Sequence, residues 1–485
     1  MNPFDEVLKV AFELHNAGRQ REAEAACRVL LEQRPENGQL LFLLGMVLHK
    51  TSRDREAVEW LARAAEKDPG AARIFNGLGC AWQQLRDHSR AVESFNRARE
   101  LEGPTTPNCY NLGVSWYRLG DLERAAGLFR EAVELTPTDA ESWHNLGQTL
   151  NDLNRLDESI AAYDRALQAA PDYHLARYGR AISLLGAGRL PEGFRDYQCR
   201  WWTRRRRAFH QPLWAGQPAP GQTLFIHAEQ GFGDAIHMAR FLPQARDRVG
   251  RVVLECRSEL KTLFLHSAIA DSVIAYGEPI PAFDFFVPML NLPHALGVTL
   301  ETIPNRTPYL EAPAADSLPP ALAGEPSAGG RPRMRVGLVW AGNPGHHQDA
   351  ARSIPLEKLA PVLQVPGVVF YSLQAPMPAR DRQFFLSCSN LVDLRGRMRD
   401  FLATASIIKD LDLVITVDTA VAHLAGALDK PVWVFIKYAP DWRWMLDRAD
   451  TPWYPTMRLF RQAHRDQWDP VILQIAEALR RRMAP

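Results

Sequence analysis

Residues Asp412–Ile436 read DLVITVDTAVAHLAGALDKPVWVFI, and their pattern passes from strand to helix to strand. Leu413 to Val417 is a β-branched, apolar run with the length of a buried strand. Asp418 ends that run, and Thr419 is a good N-cap for the helix that follows. A second apolar run, Val432 to Ile436, comes after the helix. The stretch therefore predicts a strand–helix–strand unit of a parallel α/β sheet.

A strand–helix–strand unit of this kind binds ligands at the end of its first strand, here after Val417. In parallel α/β sheets, ligands lie at the carboxyl ends of the strands, against the N-terminus of the next helix. Free N–H groups and the positive end of the helix dipole favour a phosphate there. We therefore expect Asp418, Thr419 and His423 to face a nucleotide, although a lone histidine at such a position is more often a core residue.

Composition excludes several classes of protein. The 485 residues suffice for about two to four domains, and 46% hydrophobic with 23% charged residues is ordinary for a globular chain. A net charge of +1 gives no electrostatic case for nucleic acid or an anionic membrane. The six cysteines are scattered without a Cys-x-x-Cys, which is typical of a reducing cytosol and argues against a zinc module. With no signal-peptide pattern and no apolar run of membrane-spanning length, we expect a cytoplasmic protein.

The first part of the chain repeats every 34 residues. Small residues recur at the eighth, twentieth and twenty-seventh positions of each repeat, and proline recurs near the thirty-second, as closely packed helical hairpins require. In period and pattern, residues 1–203 resemble the tetratricopeptide repeat (TPR), with a degenerate last repeat. We therefore predict an all-α TPR superhelix. The repeats start at Phe4, Gly38, Ala72, Thr106, Ala140 and His174.

Stacked repeats of this kind form a concave groove that suits a protein partner. Asn111 and Asn145 lie one period apart on the first helices of their repeats. Their amides could hold an extended peptide, because an amide both donates and accepts hydrogen bonds. Two alternatives stay open: the array is a structural spacer, or the two asparagines are merely solvated. Such arrays often self-associate, so a homo-oligomer is open as well.

The sixth repeat departs from the pattern. Arg200 replaces a small residue, and Trp201, Trp202 and Arg204 to Arg207 follow it. This tryptophan-rich end predicts a seam that docks the array on the next domain. The arginines form either an anion site or a solvated linker face.

The second half of the chain alternates strands with helices in two blocks. We predict a linker at 204–221, an N-terminal Rossmann-like domain at 222–312, a Pro/Gly/Ser-rich linker at 313–333 and a C-terminal Rossmann-like domain at 334–485. Two such domains would face each other across a cleft.

The first strand of this half is predicted at 223–228 and the next helix at 235–245, and a glycine-containing loop, Gly231-Phe232-Gly233-Asp234, lies between them. It is not the full dinucleotide fingerprint, because Ile236 stands where the third glycine belongs. A carboxylate there would repel a pyrophosphate, but it could take a proton from an acceptor hydroxyl. The alternative is that Asp234 merely caps the following helix. Spacing alone does not decide between these two roles.

Two segments of this half, Gly233–His237 and Val417–Ala425, resemble those of the bacterial glycosyltransferase family 9, the heptosyltransferase family. His227–Gly231 and Asp441–Trp444 are also similar to segments of bacterial TPR-containing glycosyltransferases. The resemblance implies a GT-B fold, in which two Rossmann-like domains face a cleft. The nucleotide-sugar donor would then lie on the C-terminal domain and the acceptor on the N-terminal one.

The resemblance also implies roles for the residues at matching positions. Asp234 matches the proposed general base, and Asp418, Thr419 and His423 match the donor-binding motif. Arg352 matches, loosely, a basic residue near the donor phosphates. The remaining assignments are Ser372 and Gln374 on the donor side, by position at a strand end, and Gln230, Gly231, Gly233 and His237 in the acceptor-side loop.

Two further clusters each have two interpretations. The aromatic residues Trp442, Trp444, Trp453 and Tyr454 either stack on the base or sugar of a donor or pack in the core. His346, His347 and Asp349 suggest a metal, but they lie in a loop without ligand spacing on a regular element.

The chain departs from the heptosyltransferase pattern in the regions that are expected to bind the acceptor. The first α/β domain, at about 90 residues, is shorter than a heptosyltransferase acceptor domain, and a repeat array precedes it. We therefore predict sugar transfer from a nucleotide-sugar donor to a hydroxyl on a protein that the array holds, by inverting displacement without a metal or other cofactor. The main alternative is a catalytically inactive TPR scaffold with a vestigial transferase domain, and a nucleotide-sugar epimerase is a third interpretation.

Overall fold

The computed structural model describes residues 3–202, 207–313, 333–346 and 349–483. Contacts divide the chain into two compact units, with the division between Arg180 and Ala181. Arg204–Arg206 of the predicted seam and residues 314–332 of the predicted second linker lie outside the described residues. The predicted domain boundaries therefore stay predictions.

The first unit consists of helices that pair in succession, as the 34-residue period predicts. Each pair approaches closely at the small eighth position, since a Cβ on Gly79 or Gly113 would lie 2.5 or 2.7 Å from the ring of Phe95 or Phe129. The helices up to the start of the α/β region are α1 Pro3–Asn16, α2 Gln20–Gln33, α3 Gly38–Lys50, α4 Asp54–Lys67, α5 Ala72–Gln84, α6 His88–Glu102, α7 Thr106–Leu119, α8 Leu122–Leu135, α9 Ala140–Asp152, α10 Leu156–Ala169, α11 His174–Gly186 and α12 Leu190–Tyr197.

The turns between paired helices repeat with the same period in backbone conformation. One residue in each turn has a left-handed φ, between 61° and 88°, and these residues are 34 positions apart in sequence. This conformation reverses the chain tightly and is most easily adopted by glycine or asparagine. The series is Gly18, Ser52, Arg86, Gly120, Asn154 and Gly188. The predicted all-α repeat array is confirmed.

The α/β half begins with a four-stranded parallel sheet of order β3-β2-β1-β4. Its first strand begins at Ala219, four residues before the predicted start at Thr223. Its strands are β1 Ala219–His227, β2 Val249–Cys256, β3 Ser272–Ala275 and β4 Phe285–Pro288, and its helices are α13 Phe232–Met238, α14 Leu242–Arg246, α15 Ser258–His266 and α16 Leu292–Ala295.

One helix prediction in this part is wrong. A single helix was expected over 235–245, but the chain forms α13, a 3-10 turn at Ala239–Phe241 and then α14. Pro243 lies in the first turn of α14, where its missing N–H cannot extend the preceding helix.

The second sheet has six parallel strands in the order β10-β9-β8-β5-β6-β7. The two apolar runs predicted as strands, Leu413–Val417 and Val432–Ile436, form its adjacent strands β8 and β9, and every residue of both is buried. The outermost strand, β10, was not predicted. The strands are β5 Met334–Val339, β6 Val368–Ser372, β7 Leu391–Asp393, β8 Leu413–Val417, β9 Val432–Ile436 and β10 Met457–Arg461, and the helices are α17 Asp349–Arg352, α18 Ala360–Leu363, α19 Arg382–Ser387, α20 Phe401–Lys409, α21 Ala420–Ala427 and α22 Asp469–Met483.

Two parallel sheets with intervening helices confirm the predicted α/β class of this half. In both sheets, the loops that follow the carboxyl ends of the strands carry polar residues. Ligands bind at these strand ends in such folds.

Candidate functional site

Helices α13 and α21 follow strands of different sheets and pack against each other. The contact is close because Gly233 has no side chain: a Cβ there would lie 3.0 Å from Cδ2 of His423 and 3.5 Å from Cα of Ala420. The structure therefore brings the loop that carries Asp234 beside the start of α21. Residues predicted separately for the acceptor side and the donor side lie in one place.

Asp234 makes two fixed hydrogen bonds. Its Oδ2 accepts the Gly231 N–H at 2.9 Å, and its Oδ1 accepts from Nη2 of Arg443 at 2.5 Å. The first bond is the helix-capping contact that the sequence left as an alternative. The side chain is still 20% exposed, so the carboxylate remains accessible from the surface.

Arg443 is the residue that the sequence-based site assignment missed. Its guanidinium is 7% exposed and donates to Asp234, to Oδ1 of Asp441 at 2.8 Å and to Nδ1 of His237 at 3.1 Å. It also stacks on the ring of Trp442, with its central carbon 4.3 Å from the ring centroid. A buried cation needs such partners, because desolvation would otherwise cost several kcal/mol. The only signal in the sequence was its place in the segment Asp441–Trp444.

The two predicted histidines lie side by side in the interior, with ring centroids 5.2 Å apart. Burial, together with the guanidinium groups of Arg240 and Arg443, holds the pKa of both His237 and His423 well below the ordinary value, so both rings are neutral at pH 7. Nδ1 of His423 lies 3.0 Å from the Tyr454 hydroxyl. The structure places both histidines as supports of the site rather than on its surface.

The end of β8 carries the predicted donor-side residues. Burial and the neighbouring Asp441 carboxylate raise the pKa of Asp418. Nη1 of Arg352 donates to the Asp418 backbone carbonyl at 3.0 Å, so this arginine does reach the strand end. Thr419 occupies the N-cap position of α21 as predicted, but its side chain does not cap the helix, and its Oγ1 lies 3.1 Å from that of Thr416. The N-terminus of α21 therefore keeps N–H groups that Thr419 does not satisfy.

Ser372 and Gln374 lie in the interior at the end of β6. Both are buried, and Oε1 of Gln374 accepts the backbone N–H groups of Trp340 and Ala341 at 3.1 and 2.9 Å. Nε2 of Gln374 donates to the Pro376 carbonyl at 3.0 Å. The amide thus links the ends of β5 and β6, and a ligand contact would require breaking these bonds.

The acceptor-side loop is shaped by its backbone. Gln230 has a φ of 65°, and its amide donates to the Tyr197 hydroxyl at 3.2 Å. Glu229, one residue earlier, pairs with the buried Arg200 of the degenerate repeat. Arg200 also donates to Asn291 at 2.6 Å. The departure at Arg200 therefore has a structural reason: the arginine holds the base of the loop that carries Gly231 and Asp234.

The aromatic cluster belongs to the core. Trp442, Trp444, Trp453 and Tyr454 are each at most 3% exposed, so the packing interpretation applies and base stacking is not available to them. Trp444 stacks on His423, with centroids 5.3 Å apart and planes 13° from parallel.

The predicted groove asparagines lie in the repeat unit. Both Asn111 and Asn145 are half-buried on the first helices of their pairs. Nδ2 of Asn145 donates to the Glu141 carbonyl at 3.0 Å and lies 3.4 Å from the Tyr110 hydroxyl. Nδ2 of Asn111 lies 4.0 Å from the Cys80 sulfur. A peptide would compete with weak, local contacts at both positions.

No group of three or more His, Cys, Asp or Glu side chains in the described part of the chain is arranged to hold a metal ion. Asp349 of the loop motif pairs instead with Arg352 at 3.2 Å and accepts from the Ser353 hydroxyl at 3.0 Å. His347 lies outside the described residues. None of the helices in the described ranges combines the length and the apolar composition that crossing a bilayer requires.

Comparison with known families agrees with both halves of the fold. Models of the tetratricopeptide repeat match residues 14–72, 107–139 and 140–173. The model described as glycosyltransferase family 9 (heptosyltransferase) matches residues 357–436. The chain joins TPR repeats to a glycosyltransferase family 9 region. That match contains Asp418, Thr419 and His423 but ends before Arg443 and begins after Asp234.

Among individual proteins, the chain is similar to Protein FlbA of Caulobacter vibrioides, with 28% identity over 338 residues, covering 64% of this chain and 55% of that protein. The chain thus spans about half the length of this curated relative. Solved structures with similar repeats include YrrB, "a TPR protein with an unusual peptide-binding site", at 19% identity and a TM-score of 0.34, covering 37% of this chain and 92% of that one. MamA is another, at 20% identity and a TM-score of 0.32, covering 33% of this chain and 95% of that one.

Proposed function

We propose that this protein is a glycosyltransferase of GT-B type that moves a sugar from a nucleotide-sugar donor to a hydroxyl on a protein acceptor. The observation that carries the proposal is the contact of α13 with α21, which places Asp234 beside the strand end of Asp418. A base and an anion site are the two elements that such a transfer needs. The family 9 match at residues 357–436 supports sugar transfer as the chemistry of this half of the chain.

The reaction is a single displacement with inversion at the anomeric carbon. The acceptor oxygen forms a bond to that carbon while the bond from carbon to the leaving diphosphate breaks. Asp234 takes the hydroxyl proton. The N-terminus of α21 and Arg352 offset the charge that builds on the diphosphate, so the step does not depend on a metal ion.

The donor site predicts a nucleotide-dependent gain in stability. Thermal unfolding would be measured with UDP, GDP, ADP and dTDP and with their sugars, on wild type and on Asp418→Ala. We expect one nucleotide class to raise the midpoint of wild type, since a ligand at about 100 times its Kd adds about 2.7 kcal/mol. The shift should disappear in Asp418→Ala and persist in Asp466→Asn, which changes an exposed aspartate with a φ of 58° to a residue that adopts this conformation readily. A wild-type protein that melts cooperatively but responds to none of them would favour the scaffold.

The repeat groove predicts a separate effect on the acceptor. The double change Asn111→Ala with Asn145→Ala removes two amides that could bond a peptide backbone. At about 1 kcal/mol for each bond, acceptor affinity should fall about thirtyfold. Acceptor KM and kcat would be measured with the donor found above. Asn96→Ala, on the second helix of its pair and exposed, is the control. An unchanged acceptor KM would remove the two asparagines from the proposal.

A further inference from the structure

Arg443 reaches from one α/β sheet to the other. It lies in the 3-10 turn Trp442–Trp444 that follows β9, whereas its partners Asp234 and His237 lie on α13 of the first sheet. These contacts join residues that are 209 and 206 positions apart in sequence. The guanidinium is therefore the polar link between the donor-side sheet and the carboxylate proposed as the base.

The contacts around Asp234 fix the plane of its carboxylate. One oxygen accepts from Arg443 and the other from the Gly231 N–H. Each carboxylate oxygen can accept two hydrogen bonds, so one position on each oxygen stays open for an incoming hydroxyl. Two anchors on different oxygens prevent the carboxylate from turning about its last bond.

Asp441 holds the guanidinium from the opposite side. Its Oδ1 accepts both Nη1 of Arg443, at 2.8 Å, and the Arg443 backbone N–H, at 3.0 Å. Trp442 covers one face of the guanidinium, and Nε donates to His237. Nε and Nη1 of the guanidinium therefore already have partners, and Nη2 is the nitrogen that donates to Asp234. Lysine has one point charge and could not make this set of contacts at once.

We propose that Arg443 is a positioning residue that orients Asp234 for the acceptor hydroxyl, with Asp441 setting the position of the guanidinium. The inference rests on the proposed role of Asp234 as the base. Under this proposal, the orientation of Asp234 on the acceptor side depends on the turn after β9. That turn belongs to the donor-side sheet.

The first test replaces Arg443 by lysine, which keeps a cation, and by alanine. Because a misplacement of about 1 Å can reduce turnover about 100-fold, we expect kcat to fall about 100-fold in both variants with the donor KM unchanged. Millimolar guanidinium chloride should restore part of the kcat of Arg443→Ala but not of Arg443→Lys, with sodium chloride at the same concentration as the control. Arg448→Lys, which changes an arginine of the same loop that pairs with the exposed Asp450, should keep full turnover.

Asp441→Asn tests the same placement without removing the buried cation. We expect kcat to fall about tenfold, less than in the Arg443 variants because the guanidinium is displaced and not removed. This variant tests the positioning role even if Arg443→Ala does not fold. Full kcat in Arg443→Lys or in Asp441→Asn would overturn the positioning role while the proposed function stands. A wild-type protein that neither binds nor turns over any donor would instead remove the proposed function itself.

Discussion

Replacing Asp234 by asparagine is expected to reduce sugar-transfer turnover by about 10²–10⁴-fold, the usual contribution of a general base. Asparagine keeps the size of the side chain but cannot accept a proton at neutral pH. Its amide N–H₂ would also face a donor, either the Gly231 N–H or the Arg443 guanidinium, where the carboxylate now accepts from both. The measurement is kcat with the donor identified by thermal unfolding, together with the donor-dependent shift itself, which should persist.

The control for this change is Asp466→Asn. Asp466 is exposed and has a φ of 58°, a conformation that asparagine adopts readily, so turnover and stability should stay at the wild-type level. Near-normal turnover in a folded Asp234→Asn protein would show that the carboxylate is not the base. Its roles would then be the capping bond to Gly231 and the ion pair with Arg443.

Gly426→Ala is expected to destabilise the α/β half by about 1–3 kcal/mol, the range for overpacking a filled core. Gly426 lies on α21, where a Cβ would come within 2.5 Å of Cδ1 of Tyr454. That ring cannot move aside easily, because it is 1% exposed and its hydroxyl lies 3.0 Å from Nδ1 of His423. Arg240 covers the ring at 4.4 Å. Urea unfolding followed by tryptophan fluorescence would give the change in free energy.

Two companion variants separate overpacking from the other effects of the added methyl group, since Gly→Ala by itself raises helix propensity. Gly396→Ala introduces a Cβ that meets nothing within 4 Å, so it should leave the free energy of unfolding nearly unchanged. Tyr454→Ala removes the ring that Gly426→Ala would strike. The double variant should therefore be less destabilised than the sum of the two single changes, since residues in contact are not additive. Additive effects would mean that the clash is relieved in some other way.

Local pattern was sufficient for the secondary structure that frames the site. Strands β8 and β9 have the bounds that the apolar runs predict, because a buried strand in a parallel sheet needs an unbroken apolar run. Strand β10 escaped prediction because Arg458 and Arg461 interrupt its apolar residues, and an edge strand tolerates charges on its exposed side. The helix predicted over 235–245 is interrupted because Pro243 has no N–H with which to continue the preceding helix.

Position at a strand end was a weaker guide to the site. It placed Asp418 and Thr419 correctly at the start of α21, where a parallel sheet leaves room for ligands. The same reasoning assigned Gln374 to the donor, although its amide is occupied by the backbone of Trp340 and Ala341. A strand end shows which residues lie near an opening, but it does not show whether a side chain turns outward or satisfies buried N–H groups.

The sequence by itself determined the repeat array, the two blocks of parallel strands and the loop that carries Asp234. These features depend on periods of 34 residues, on apolar runs and on turn residues, all of which are local. Only the tertiary structure decided that Arg443 meets Asp234, a contact across 209 positions of sequence. No sequence period links Arg443 with Asp234. They meet because Gly233 lets α13 approach α21. A buried guanidinium also needs carboxylate partners in place of the water that it loses.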